Sequence, residues 1–313
     1  MPIVVGPSSG GPPPVTDSSG GSYDIADAPG LTLIGSNGDS IPLSSLLGIT
    51  TGQGWEGFDL PPYELRSSTP GGWDGGLVSD VRAGIREVFV PLSIEAHTTE
   101  ELRELKRRLA AALNPRNGDA TLIVTHRNGD SRRISGRYAQ GFDGALTSGQ
   151  GLWWQNIGIT LRCHEPFWQG PQIIASRFTA GSAPTFFDSP FFPLEIGAGQ
   201  AIGTVVIDNI GDEAAYPVWT IEGPGADVTV SSSSKSWGID GSIADGETLT
   251  IDTRRGVQTV TNEGGVSQWS RVTPNSNLWA LEPGDNTVTV AMTSTDSGSS
   301  IQVAYTPRYL TAF

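Results

Sequence analysis

Three histidines and one cysteine are the residues of this chain that could support nucleophilic catalysis. A serine or cysteine nucleophile needs a histidine close enough to accept its proton. Cys163 and His164 are consecutive in a strand pattern, so their side chains are expected on opposite faces of a sheet, where they cannot form a dyad. His97 stands at a strand-to-helix junction and His126 at the end of a hairpin, and we interpret both as polar surface residues. Because the sequence also lacks the GxSxG, HExxH, Walker and EF-hand patterns, we predict that the protein is not an enzyme.

Carboxylates are the second group of residues with possible chemistry. The 33 aspartates and glutamates contain many pairs of the kind that glycoside hydrolysis needs, but no pattern singles out two of them. Asp240 and Asp245, in IDGSIADGET, offer oxygen ligands for calcium, although Asp-Gly sequences more often form turns. We therefore predict no catalytic residue, no metal site and no cofactor.

Nine tryptophans suggest sugar binding, because aromatic faces can stack on pyranose rings. Trp153, Trp219 and Trp279 lie within strand patterns, where burial of a large ring is the simpler explanation. Trp55 and Trp73 lie in the segment 52–84, which has no steady period. A long irregular segment in a compact domain is usually functional, so these two residues are the predicted aromatics of an interaction loop.

The composition limits the class of protein. With 313 residues, the chain is long enough for about two domains, and its single cysteine excludes an internal disulfide or a multi-cysteine zinc site. A net charge of -14 argues against specific binding to nucleic acid or to an anionic membrane. The chain has no apolar run of membrane-spanning length and no secretion signal at its start, so we expect a soluble protein.

Local motifs predict the elements of the N-terminal half. Residues 1–30 are rich in proline, glycine and serine and are expected to form a flexible leader arm. Asn37-Gly38 and the later RNGD sequence each predict a β-hairpin, because both supply residues that tolerate positive φ angles. Thr98 and Glu101 form a capping box before a helix that carries leucines on one face and ends at Asn114-Pro115.

The sequence CHEPFWQGPQ, residues 163–172, ends a strand of alternating buried and exposed positions. Proline cannot donate to a β-ladder, so Pro166 and Pro171 predict that a sheet, and with it a domain of residues 31–170, ends here. Residues 171–203 read as a connector, and residues 204–313 contain six or more short strands typical of a β-sandwich. The predicted residues of the domain junction are Glu165, Pro166, Phe167 and Trp168.

The order of the motifs resembles that of the distal tail proteins of bacteriophages with long non-contractile tails, the siphovirus-type tail component family. In the N-terminal half the similarity rests on GFDLPPYELRSSTPGGWDGG, then GIREVFVPLSIEAHTTEELRELKRRLAAALNPRNGDATLIV, then GQGLWWQNIGITLRCHEPFWQGP. In the C-terminal half it rests on VVIDNIGDEAAYPVWTIEGPG, GETLTIDTRRGVQTV and LWALEPGDNTVTV. The resemblance covers residues 31–313, and the proline-rich leader and the connector around 186–193 depart from the family pattern.

This resemblance implies a fold and a role. The fold would be mainly β, with a barrel-like N-terminal β-sheet domain carrying one α-helix, followed by a galectin-like β-sandwich. The role would be structural: a homohexameric ring at the virion tail tip, assembled in the host cytoplasm. The expected partners are the tail tube protein, the tail-tip hub or tail-associated protein, and a receptor-binding or tape-measure protein. DNA would pass through the lumen. From the net charge of -14 we hypothesise that aspartate and glutamate line the lumen and repel the DNA phosphates.

Two other functions remain open from the sequence. The sandwich could bind carbohydrate and attach the virion to the host cell wall, in which case it should present solvent-facing aromatic residues. A glycan-cleaving enzyme is the third alternative. The fold alone does not decide between these functions.

Overall fold

The computed structural model describes residues 30–43, 48–69, 71–72, 74–143, 151–180, 199–233 and 235–313, together with short strands at 15–16, 22–23 and 195–196. Most of the predicted leader, Trp73, and the aromatic part of the predicted connector, Phe186 to Phe192, lie outside the described residues. The described part has no helix long and apolar enough to cross a membrane.

The described elements are numbered in chain order. The N-terminal half contains β1 (Val15–Thr16), β2 (Ser22–Tyr23), β3 (Gly30–Ile34), β4 (Ser40–Pro42), β5 (Gly48–Thr51), β6 (Tyr63–Ser68), β7 (Leu77–Ala83), β8 (Arg86–Glu95), α1 (Thr99–Ala112), β9 (Ala120–Thr125), β10 (Ser131–Gln140), β11 (Trp154–Cys163) and β12 (Trp168–Gln169). The C-terminal half contains β13 (Ile173–Ala180), β14 (Glu195–Ile196), β15 (Gly199–Asn209), β16 (Val218–Glu222), β17 (Gly225–Ser232), β18 (Lys235–Ile243), β19 (Thr248–Asp252), β20 (Thr259–Asn262), a 3-10 turn (Trp269–Arg271), β21 (Gly284–Thr295), β22 (Ser300–Tyr305) and β23 (Arg308–Tyr309).

The N-terminal strands form one sheet in the order β4-β3-β9-β10-β11-β8-β5. Its two edges approach each other, since the amide of Thr51 donates to the carbonyl of Leu43 over 2.7 Å. The sheet therefore curls into a nearly closed barrel. In β8 the inward positions alternate strictly, and the barrel core takes the apolar side chains of β8 and of its neighbours, Leu31, Leu33, Val88, Val90, Leu92, Ile94, Leu122, Val124 and Leu161.

The two predicted hairpins and the predicted helix are confirmed. Gly38 and Gly129 have φ angles of 83° and 91° in the β3–β4 and β9–β10 turns, conformations that glycine adopts without strain. The side chain of Thr98 accepts a hydrogen bond from the amide of Glu101, as the capping box requires. The carboxylate of Glu101 in turn accepts from the amide of His97 rather than from that of Thr98. Helix α1 buries Leu102 and Leu109 against the barrel.

Two expectations about the N-terminal half are wrong. The segment 52–84, predicted to be irregular, contains the antiparallel pair β6–β7, which forms a separate two-stranded sheet. Trp153, predicted to be buried, is 55% exposed, because it precedes the first residue of β11 and lies beyond the core. On the face of β11 that continues from Trp153, Gln155, Ile159, Leu161 and Cys163 are buried and Ile157 is partly buried.

The C-terminal half is a β-sandwich. One sheet has the order β14-β13-β22-β16-β19-β20 and the other has the order β15-β21-β17-β18. Between them lies a separate core in which the rings of Trp219 and Trp237 meet edge to face, with centroids 5.6 Å apart. Strand β13 belongs to this sandwich, although residues 171–203 read as a connector in the sequence. The predicted fold class, a barrel-like sheet with one helix followed by a sandwich, is confirmed.

Candidate functional site

The joint between barrel and sandwich consists of two chain segments, not one. Strand β12 pairs with β10 of the barrel and also with β23 at the far end of the chain, so Trp168 faces Tyr309 and Gln169 faces Arg308. Past β12, the amide of Gly170 donates to the carbonyl of Pro307 over 3.0 Å. The segment that leaves the barrel and the segment that returns to it therefore run antiparallel, side by side.

The predicted junction residues gather around this joint. The carboxylate of Glu165 accepts a hydrogen bond from Arg308 over 2.5 Å, and the Arg308 guanidinium lies 4.4 Å from the centre of the Phe167 ring. Pro166 is buried beside them. Trp168 lies deeper than the other three. It is fully buried in the barrel core, and its ring centroid is 5.3 Å from that of Phe58.

The last residues of the chain pack on the barrel. The amide of Ala312 donates to the carbonyl of Phe58 over 2.7 Å, and the Arg132 guanidinium donates to the carbonyls of Thr311 and Phe313 over 2.8 and 3.0 Å. The ring of Phe313 stacks on that of Phe58, with centroids 6.0 Å apart. The C-terminal residues, which we predicted to belong to the sandwich, are therefore part of the barrel.

A buried cation anchors this C-terminal segment. Arg86 is 1% exposed, and its guanidinium donates to the carbonyls of Gly57, Asp59 and Leu310 over 2.9, 2.6 and 2.8 Å. Burial lowers the pKa of Arg86, because the barrel interior solvates its charge less well than water does. The three carbonyl oxygens replace part of the lost hydration.

Sequence reasoning missed Arg86, Arg308 and Phe313. A signal existed for Arg86, because it occupies an inward position in the alternation of β8, where a charged residue must find partners. No local signal marks Arg308 or Phe313, because their partners are distant in sequence: Glu165 is 143 residues from Arg308.

The hairpin β6–β7 is the second feature of interest. Its cross-strand pairs place Leu65 opposite Val81 on one face, and Arg66 opposite Asp80 on the other. The apolar pair is exposed by 64% and 53%, and none of the residues of β6 is buried. A two-stranded hairpin is only marginally stable alone in water, so a bare apolar face is typical of a surface that another chain covers.

The aromatic residues proposed as contacts differ in how far they are buried. Trp55 is half-buried: its indole donates to the Thr51 hydroxyl over 2.7 Å, and its ring stacks on Phe58. Its role as an interaction aromatic stays a prediction, and Trp73 is not among the described residues. In the sandwich, Trp219, Trp237 and Trp279 are buried, as predicted for Trp219 and Trp279, whereas Trp269 is 47% exposed.

The candidate catalytic residues are not brought together. Cys163 is fully buried, and burial raises the pKa of its thiol to about 12, although the nearby Arg86 acts in the opposite direction. His126 lies elsewhere on the barrel, with Nε2 3.0 Å from the carbonyl oxygen of Ala312. Within the described residues, no group of three or more His, Cys, Asp and Glu side chains could hold a metal ion.

Comparison with known proteins identifies relatives of this architecture. Residues 210–309 match the family model "Siphovirus-type tail component, C-terminal domain". The chain is similar to the crystal structure of SPP1 Dit (gp 19.1), described as a paradigm of hub adsorption apparatus in phages that infect Gram-positive bacteria. The TM-score is 0.63 at 16% identity, over 90% of this chain and 99% of that one. It is also similar to a chain of the phage P2 baseplate in its activated conformation with Ca, with a TM-score of 0.54 at 9% identity, over 90% of this chain and 98% of that one. The curated proteins contain no match.

The resemblance stated from the sequence is confirmed. The structural likeness extends over both the barrel and the sandwich, and the family match falls on the sandwich and the returning strand β23. The fold resembles that of SPP1 Dit over 90% of the chain, and residues 210–309 match the tail component family model.

Proposed function

We propose that the protein is a distal tail protein whose copies form a ring, expected to be a hexamer, at the tail tip. The ring would join the tail tube to the hub or tail-associated protein and to receptor-binding parts, and DNA would pass through its lumen. The Dit-like fold supports the general role. The observation that supports the ring is the exposed apolar face of the β6–β7 hairpin, which no described residue of the same chain covers.

The hairpin is suited to contact between copies of the chain. The apolar pair Leu65 and Val81 supplies a surface that is favourable to bury, whereas the opposite face carries Glu64 and Arg66 across from Arg82 and Asp80, which can stay in water. Burial of a leucine and a valine contributes about 1.5–3 kcal/mol each. The same contact repeated around a closed ring uses every hairpin and leaves none exposed.

Replacement of Leu65 and Val81 by serine tests this proposal. We expect the wild-type chain to show a ring with a central hole by negative-stain imaging and a multiple of the monomer mass by light scattering. The double variant should weaken each contact by about 3 kcal/mol, or more than a hundredfold, and run as a monomer at the same concentration.

The matched control replaces Arg66 and Asp80 by serine. These residues form the next cross-strand pair of the same hairpin, but on the opposite face, and their joint removal leaves the net charge unchanged. This variant should assemble like the wild type. If the wild type is a monomer at every concentration, or if both variants lose assembly equally, the hairpin face does not build the ring.

A further inference from the structure

A cleft of about 1250 Å³ lies between β10 and β12 of the barrel and the β18, β19–β20 and 277–282 segments of the sandwich. Pockets for small molecules usually measure about 300–1,000 Å³. This cleft is larger and partly open to solvent, so it has room for several units of a linear polymer.

The cleft concentrates positive charge in an acidic protein. Six of the 19 lysines and arginines line it, against three of the 33 acidic residues. The cationic side chains are Arg82, Arg133, Lys235, Arg254, Arg255 and Arg308, and the acidic ones are Glu165, Glu213 and Glu282. The cleft therefore carries a positive balance although the chain has a net charge of -14.

Two of these cations are available to a ligand. Arg308 is held by Glu165 and the carbonyl of Ala214, and Arg254 binds both oxygens of Asp252. Arg82 pairs with Asp80, and the Lys235 ammonium lies 3.9 Å from Glu282. Arg133, on the barrel side, and Arg255, on the sandwich side, are exposed and form no ion pair with another described residue. A ligand that lies along the cleft can meet both guanidinium groups, one from each wall.

The rest of the lining distinguishes between anionic ligands. Amide side chains border the cleft at Gln169, Gln172, Gln258 and Asn277, and amides donate to and accept from hydroxyl groups. Of the aromatic side chains in the lining, Phe167, Trp279 and Tyr305 are buried and Tyr216 is partly exposed. Val257, at 51%, is the one exposed apolar side chain of the lining, so the cleft offers few apolar anchors. A bound peptide depends on apolar anchors that fill pockets, whereas a hydroxyl-rich polymer does not.

We propose that this cleft binds an anionic glycan, a sugar or polyol polymer that carries phosphate or carboxylate groups. Arg133 and Arg255 pair with the acidic groups, for which the planar guanidinium is suited, and the amides bind the hydroxyls between them. The acidic remainder of the protein does not prevent this, because at physiological salt charges separated by more than about 8 Å are largely screened. Binding should weaken as the salt concentration rises.

Affinity electrophoresis of the full chain tests the proposal. The gels contain a poly(glycerol phosphate) teichoic acid, polygalacturonate, dextran or polyglutamate. We expect the chain to be retarded by the teichoic acid, which carries phosphate, or by polygalacturonate, which carries carboxylate. Neutral dextran should not retard it. The variant Arg133→Gln/Arg255→Gln should bind at least about tenfold more weakly, as expected when two charge-assisted contacts are lost.

The matched control is Arg107→Gln/Arg116→Gln, which removes the same charge from exposed positions on and after α1. Thermal unfolding of both variants checks that the fold is retained. The proposal is overturned if neither acidic glycan retards the chain, or if the control variant loses binding equally. It is also overturned if polyglutamate binds as well as the glycans, since the site would then accept an acidic peptide.

Discussion

At the scale of single residues, Arg86 places a charge in the barrel core at a position where the strand pattern calls for an apolar side chain. It stabilises the barrel through three part-buried hydrogen bonds to backbone carbonyls, which lose this donor when Arg86 is replaced. Arg86→Met should therefore lower the free energy of unfolding by about 3 kcal/mol, measured by urea denaturation. Arg137→Met, which removes an exposed ion pair with Asp119, should change it by less than about 0.5 kcal/mol. Equal losses would show that the carbonyl contacts of Arg86 add nothing.

Cys163 provides a second prediction at this scale. Burial raises the pKa of its thiol to about 12, so almost none of it is thiolate at pH 8. Iodoacetamide should label the native protein more than about a thousandfold more slowly than the urea-unfolded protein, in which the thiol has a pKa near 8.5. The ratio is measured by mass spectrometry of the intact chain. Rapid labelling of the folded protein would mean that β11 opens locally and would contradict the buried position.

At the scale of elements, the returning C-terminal segment is part of the barrel. A chain that ends at Tyr309 loses the contacts of Leu310 with Arg86 and of Thr311 and Phe313 with Arg132. We expect the barrel to lose about 3 kcal/mol of stability while the sandwich core is unchanged. Hydrogen exchange should rise in β8 and β9 but not in β16 and β19, which serve as an internal control. A uniform rise across both halves would contradict a local role for the segment.

These elements differ in how far their sequence could predict them. The turns at Gly38 and Gly129 and the cap at Thr98 were predictable, because the residues that specify them lie within four positions of each other. The β6–β7 hairpin was not predicted, because neither of its faces is buried. Its apolar residues therefore do not show the alternation of a strand that packs on a core. The return of the chain to the barrel was not predicted for another reason. The partners of Arg308, Ala214 and Glu165, lie 94 and 143 residues away, and Phe58, the partner of Phe313, is also distant, so no local pattern indicates these contacts.

At the scale of the whole molecule, charge is distributed unevenly. Nearly a third of the cationic side chains border one cleft, so the remaining surface is more acidic than the composition suggests. This supports the hypothesis that a ring lumen built from the chain would repel DNA phosphates and let the genome pass. The same distribution would confine the attraction for an anionic polymer to the joint between barrel and sandwich.

The joint itself has a further consequence. Ile173, at the start of the sandwich segment, pairs with Tyr305, near its end, so the chain enters and leaves the sandwich at neighbouring points. Topologically, the sandwich is an insertion into the barrel, held by two antiparallel strands instead of one linker. A pull on the sandwich is therefore shared between the covalent connection at β12 and the C-terminal segment that is hydrogen-bonded to the barrel, and the sandwich cannot rotate as freely as it could on a single linker. For the same reason the sandwich is a replaceable domain. Another domain whose two ends lie side by side could be inserted at the same point without disrupting the barrel.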